Sequence, residues 1–149
     1  MIQLVKGDIF ESKAGALVNP VNTMGVMGKG LALQFKKKYP DNFLVYRGAC
    51  KEGKVFLGSM FVVETKGTRD PRYIINFPTK GHWKGPAYLG PIEVGLVDLV
   101  QVVVQLGLES IAIPALGCGE GGLSWTVVSP CIQDAFKTLP DVLVSLYEP

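Results

Sequence analysis

Two glycine-rich segments, each preceded by a short apolar run and followed by a helical pattern, set the strongest limit on how this chain can fold. The first runs from Asn19 to Gly30 (NPVNTMGVMGKG) and the second from Pro114 to Leu123 (PALGCGEGGL). Glycine tolerates positive φ and lets successive backbone N–H groups turn towards one point. A helix that begins beside such a loop adds partial positive charge there. Two loops of this kind can clasp a diphosphate from opposite sides, or they can do no more than make tight turns.

The rest of the chain alternates between strand and helix patterns. Ile2–Val5, Ala16–Val18, Phe56–Glu64, Tyr73–Phe77, Ser110–Pro114 and Val142–Tyr147 read as strands. Gly28–Tyr39 reads as a helix, with Leu31, Ala32, Phe35 and Tyr39 on one face and Lys36, Lys37 and Lys38 in a last turn stopped by Pro40. No element is assigned between Asp41 and Val55. Pro91–Leu106 reads as an apolar cylinder with one polar stripe, Asp98, Gln101 and Gln105. The spacing predicts a last helix capped by Ser129, with Pro130 at its first position and a turn over Trp125–Val128 before it. The class is α/β, a sheet between helical layers.

Composition narrows the function classes. A chain of 149 residues with 48% hydrophobic and 19% charged residues is one folded domain, not a disordered one. No stretch reaches the roughly 20 apolar residues of a membrane span, and Lys6 and Asp8 interrupt any leader pattern. Three cysteines and one histidine share no zinc spacing, so no metal and no cofactor are expected. Reduced thiols in the cytoplasm are the simplest reading. Gly28-Lys29 is followed by Gly30 where a P-loop needs Ser or Thr, and Thr23 stands where its first glycine should be. Gly117–Gly122 matches G-x-G-x-x-G, but too little chain follows to complete a dinucleotide-binding sheet. These mismatches argue against a P-loop enzyme or a nicotinamide dehydrogenase.

Gly7-Asp8-Ile9, Asn19-Pro-Val-Asn22, the Gly25–Gly30 loop and Ala115–Gly122 together resemble, in order, the signatures of macrodomains. The resemblance implies a three-layer α/β/α fold over residues 1–149, with a mixed, largely parallel central sheet, that binds ADP-ribose. It implies that Asp8 bonds the adenine amino group, that Ile9 lines the adenine pocket and that Tyr147 packs there. Asn22 and Thr23, with Gly25, Val26, Met27 and Gly28, would face the distal ribose and diphosphate. Gly117, Cys118, Gly119, Glu120, Gly121, Gly122 and Leu123 would hold the diphosphate. Read singly, Asp8 also fits a turn or helix cap, Asn22 a loop cap and Tyr147 a core or rim position.

Asn76–Lys80 followed by Gly81-His82-Trp83, with Val26–Phe35, resembles the DarG-type branch, antitoxin partners of DNA ADP-ribosyltransferases. The human terminal ADP-ribose glycohydrolase is a more distant likeness. What this implies is removal of ADP-ribose from thymidine in single-stranded DNA, with Lys80 catalytic, His82 assisting, and Trp83 and Lys84 touching DNA. It also implies a cognate DNA ADP-ribosyltransferase toxin as partner and no membrane. DarG-type proteins carry a further C-terminal domain, which leaves open that these residues are part of a longer chain. The carboxylates that other branches use are missing: Gly121 stands at one place and Lys29 near the other. A non-catalytic ADP-ribose reader, or a hydrolase of ADP-ribose esters on proteins, are the alternatives.

Overall fold

The computed structural model describes residues 1–149. Six strands form one sheet: β1 Ile2–Val5, β2 Ala16–Asn22, β3 Phe61–Glu64, β4 Tyr73–Lys80, β5 Ser110–Ile113 and β6 Leu143–Tyr147. Their order is β1-β6-β5-β2-β4-β3, parallel throughout except that β3 runs antiparallel to β4. Four helices cover it: α1 Gly30–Lys38, α2 Pro40–Lys51, α3 Leu89–Gln105 and α4 Trp125–Ala135.

The central strands are buried on both faces, which is why they read as continuous apolar runs. Alternate residues divide between the layers. Ala16, Val18, Ile75, Phe77, Ile111 and Ile113 pack against Ile92, Leu96, Leu99 and Val103 of α3 and Val128 and Ile132 of α4. The other face is split in two. Leu17, Ile74 and Ala112 pack on Phe35 of α1, whereas Val21 packs with Met27, Phe43, Tyr46 and Ala49. Between Leu17 and Val21, on the same strand face, sits buried Asn19. Its Nδ2 donates to Asn76 Oδ1 at 3.1 Å, and Asn76 and Asn42 exchange bonds of 2.9 and 3.2 Å. Buried amides need such partners, so this knot fixes α2 over β4.

Several boundaries differ from the sequence reading, each for a physical reason. Pro40 does not end one helix so much as start the next: it is the first residue of α2, where its missing N–H costs nothing. The third strand begins at Phe61 and not Phe56, because β4 offers partners only from Asn76 back to Tyr73. Conversely β2 runs on to Asn22 and β4 to Lys80, each supporting the other. Pro91 is the third residue of α3, still within the turn whose N–H groups lack helical acceptors. Pro130 lies inside α4, contrary to the predicted Ser129 cap. Thr126 and Pro130 both face solvent, so water can take the carbonyl that the missing N–H leaves free. Within the polar stripe of α3, Asp98 is half-buried and its Oδ2 accepts from the Met60 amide at 2.7 Å.

Two mid-helix glycines make opposite predictions. A Cβ on Gly48 would meet nothing within 4 Å, so Gly48→Ala should raise unfolding free energy by about 1 kcal/mol through helix propensity. A Cβ on Gly95 would lie 2.6 Å from the buried Phe77 ring, so Gly95→Ala should lower stability, overpacking costing about 1–3 kcal/mol. Urea melts of both variants test this; equal signs would contradict the packing described.

Candidate functional site

A cleft of about 1150 Å³ opens at the carboxyl ends of the parallel strands. From β2 the chain moves outward to β4, then crosses back to β5 and β6 on the other side. The switch point lies between β2 and β5, where open α/β sheets leave a crevice. Prolines keep it open. Past Leu17, β2 has no partner on the β5 side, so Pro20 has no ladder bond to lose there. Pro78 likewise lies past the end of the β3 pairing, and Pro114 follows β5 directly.

The first loop is built on Asn22. Its Oδ1 accepts the Met24 amide at 2.9 Å and the Val26 amide at 3.4 Å, while its Nδ2 donates to the Val26 carbonyl at 2.8 Å. From below, the buried Tyr46 hydroxyl lies 2.6 Å from the Asn22 carbonyl and 3.0 Å from Oδ1. Burial pushes the Tyr46 phenol far above its usual range, so it is a permanent donor. Asn22 thus organises the loop and keeps one N–H for a ligand. Tyr46 has no counterpart in the sequence reading; Phe43, Tyr46 and Ala49, spaced by three after Pro40, are the signal that would have found it. Beyond the loop, the amides of Gly28, Lys29 and Gly30 donate to no protein acceptor, and α1 has no side-chain cap.

Lys80 stands at an irregularity in the sheet. Val21 pairs with Pro78, but Asn22 pairs with Lys80, so Thr79 is the extra residue of a bulge. Bulges of this kind re-aim side chains beside active sites. The tip is clamped: the Thr23 amide and hydroxyl both reach the Gly81 carbonyl at 3.1 Å. Lys80 is half-buried, lines the cleft and forms no salt bridge, the two ion pairs of the protein being Lys54–Glu52 and Lys137–Asp134. Trp83 and Lys84 also line the cleft, with the Lys84 ammonium 4.8 Å from the Trp83 ring centre. His82 is exposed and outside the cleft wall. It stacks on Trp83, and its Nδ1 accepts the Lys84 amide at 3.0 Å.

The second loop closes on itself through Cys118 to Ala115, Gly122 to Gly119 and Leu123 to Gly117 backbone bonds. The amides of Gly119, Glu120 and Gly121 are left without protein acceptors, three consecutive donors of the kind that form an anion nest. Gly117 has φ +74°, and a Cβ there would lie 2.7 Å from Ile92. At Gly121 a Cβ would lie 2.5 Å from the Gly117 carbonyl oxygen, so this backbone admits no side chain, and no carboxylate, at that place. Glu120 reaches across: a Cβ on Gly30 would be 3.9 Å from its Cγ. The two loops therefore face each other over the cleft.

At the far end, Asp8 and Ile9 come from the turn after β1, and Tyr147 from the end of β6. Asp8 Oδ1 accepts the Phe10 amide at 2.9 Å, capping a 3-10 turn over Ile9–Glu11, and its second oxygen receives no protein donor. Tyr147 lines the cleft and packs on the Ile9–Phe35 cluster, a rim position. Gly28, Val26, Gly117, Gly119, Glu120 and Gly121 also lie in the wall. Thr23, Gly25, Met27, Cys118, Gly122 and Leu123 do not. Met27 is a core side chain, Gly25 lies against Arg47 and Cys50, and burial raises the Cys118 thiol pKa. No group of His, Cys, Asp and Glu side chains could hold a metal ion. No helix is long and apolar enough to cross a membrane.

Comparison with known proteins agrees with this geometry. The Macro domain family model matches residues 18–132. The DNA ADP-ribosyl glycohydrolase of Mycobacterium tuberculosis is 50% identical over 149 residues, all of this chain but 42% of that protein. The chain thus spans less than half the length of that relative. The structure of the macrodomain of M. tuberculosis DarG superposes with a TM-score of 0.98, covering 100% of this chain and 98% of that one. A structure of Thermosipho africanus DarTG in complex with ADP-ribose is 36% identical with a TM-score of 0.92, covering 99% of this chain and 41% of that one. In its curated description that protein is a DNA ADP-ribosyl transferase–DNA ADP-ribosyl glycohydrolase fusion. This chain belongs to the macrodomain family, in its DarG-type branch.

Proposed function

We propose that this macrodomain binds ADP-ribose and hydrolyses the bond joining it to a thymidine base in single-stranded DNA, with Lys80 as the catalytic residue. The observation that carries the reading is an unpaired lysine, fixed by a bulge, in a cleft flanked by two sets of unengaged amides. The names of the M. tuberculosis and T. africanus relatives point the same way. In this reading Asp8, Ile9 and Tyr147 hold the adenine. The amides of Gly28–Gly30 and Gly119–Gly121 take the diphosphate, and the free N–H of Asn22 meets the distal ribose. Trp83 stacks a base next to the target and Lys84 meets a phosphate; such stacking is worth about 1–3 kcal/mol. The T. africanus fusion suggests a DNA ADP-ribosyltransferase toxin as the partner whose product is removed.

In the reaction, water adds its hydroxyl to the anomeric carbon. The base leaves with the electron pair of the broken bond and regains a proton. Positive charge grows on the ribose and negative charge on the base. Lys80 serves either as a free amine attacking the anomeric carbon, with water releasing the product, or as an ammonium that stabilises and protonates the leaving base. No carboxylate fits at Gly121, while Glu120 of the same loop lines the cleft.

Three outcomes test this. On an oligonucleotide carrying one ADP-ribosylated thymidine, wild type should release ADP-ribose and Lys80→Ala should be slower by about 10²–10⁴-fold, with calorimetric affinity for free ADP-ribose held within a few fold. If wild type binds ADP-ribose tightly but releases none from DNA, the domain is a reader. Turnover of protein ADP-ribose esters alone would select an esterase. Lys80→Arg separates the two roles, since arginine keeps the charge but cannot act as an amine: retained partial activity favours the ammonium. Gly121→Ala should weaken ADP-ribose binding by about tenfold or more, as about 1.4 kcal/mol of lost loop contact would do; unchanged affinity would remove the second loop from the diphosphate site.

A further inference from the structure

Charge is divided unevenly along the chain. Residues 29–54, which hold α1 and α2, carry seven Lys or Arg side chains against two carboxylates. Residues 89–149, which hold α3, α4, β5 and β6, carry one against seven. A net charge of +2 therefore hides a strongly polarised molecule. Internal pairing does not cancel the basic side, where only Lys54 has a carboxylate partner. Lys36 and Arg47 instead share one ring: the Lys36 ammonium is 4.5 Å, and the Arg47 guanidinium carbon 5.3 Å, from the centre of Phe43. The ring face attracts each cation, but the two cations repel each other. An added polyanion would relieve that repulsion.

The basic strip leads to the cleft. Tyr46 reaches Asn22, and its neighbour Arg47 lies behind the first loop, its Cγ 3.5 Å from where a Cβ on Gly25 would sit. Lys51 lies one turn further along the same face of α2, about 6 Å along the axis. Between them exposed Gly48 leaves bare helix backbone with no packing reason inside this chain. On the other flank of the same loop, Thr23 is bonded to Gly81, two residues before Trp83. A strand crossing Trp83 and Lys84 can continue past Gly25 towards Arg47.

We infer that Lys36, Arg47 and Lys51 form a track for the sugar–phosphate backbone of the DNA whose modified nucleotide occupies the cleft. The inference rests on the DNA reading above. Phosphates at successive nucleotides suit a line of unpaired cations with open backbone between them, and counterion release makes such contacts additive and salt-sensitive. α3 and α4 carry no Lys or Arg, so the opposite side offers the strand no competing cations on its helices.

The test uses the double variant Arg47→Gln/Lys51→Gln, both exposed helix positions, against wild type. Oligonucleotides of four and sixteen nucleotides each carry one ADP-ribosylated thymidine, and kcat/KM is read between 50 and 200 mM salt. The track requires wild type to favour the longer substrate and the variant to lose about tenfold on it alone, with its slope of log kcat/KM against log salt shallower by about 1.4, two contacts at about 0.7 each. Affinity for free ADP-ribose should be unchanged. Equal loss on both lengths, or weaker ADP-ribose binding, would mean damage to the cleft and would overturn the track. A variant equal to wild type on the longer substrate, with the same salt slope, would overturn it while leaving the glycohydrolase reading intact. If wild type releases nothing from either substrate, that reading fails. Anisotropy with the unmodified sixteen-mer then decides the track separately, upheld by salt-sensitive weakening in the variant and overturned by equal binding.

Discussion

The pairing of β2 with β4 is the interaction on which the site depends. It carries two asparagines, Asn19 and Asn76, side by side in the core, and two site residues, Asn22 and Lys80, side by side at its tip. The bulge at Thr79 separates these two regions. Before it, alternation is regular and serves packing; after it, the Lys80 side chain follows a new direction. Each end is braced from the α2 side, the core by Asn42 and the tip by Tyr46. α2 thereby sets the position of the lysine and the shape of the first loop together. Loosening α2 would disturb both, because buried amides and phenols without partners cost about 1–3 kcal/mol each.

What could be read from residues alone was whatever depends on local chemistry. Glycine clusters after apolar runs announce turns with outward amides, and both loops lie where those clusters placed them. Asp8 was legible as a cap because Asx capping is a two-residue event. The reading stopped where one residue serves two elements. Pro40 reads as the end of α1, but it also opens α2, the helix that holds Tyr46. Pro130 reads as a helix start because proline is costly within one, and the exposure of Thr126, which lets water take the free carbonyl, is a tertiary fact. The bulge was invisible for a similar reason. Nothing in Phe77-Pro78-Thr79-Lys80 states the register, which belongs to two strands 57 positions apart at the Asn19–Asn76 pair.

The second loop accounts for the absence of a carboxylate in terms of space. Gly121 sits against the Gly117 carbonyl and Ala87, and the Ala87 amide donates back to the Gly121 carbonyl at 3.0 Å. That bond ties the segment carrying Trp83 and Lys84 to the loop. A side chain at position 121 would break the tie and close the amide nest at once. Compactness there favours anion binding and rigidity of the rim, and leaves no room for a carboxylate at position 121.

Amides and ammoniums are therefore used differently in this molecule. Backbone N–H groups in glycine loops and at helix starts carry partial positive charge, so they can face an anion without a side chain. Lys80 shares the cleft wall with Lys29 and Lys84. Further cations, Lys36, Arg47 and Lys51 among them, lie outside the cleft on α1 and α2. There they can act on a longer polyanion without altering the reaction. On this view the cations of α1 and α2 and the glycine content of the two loops answer the same requirement: an anionic ligand has to be held beside Lys80.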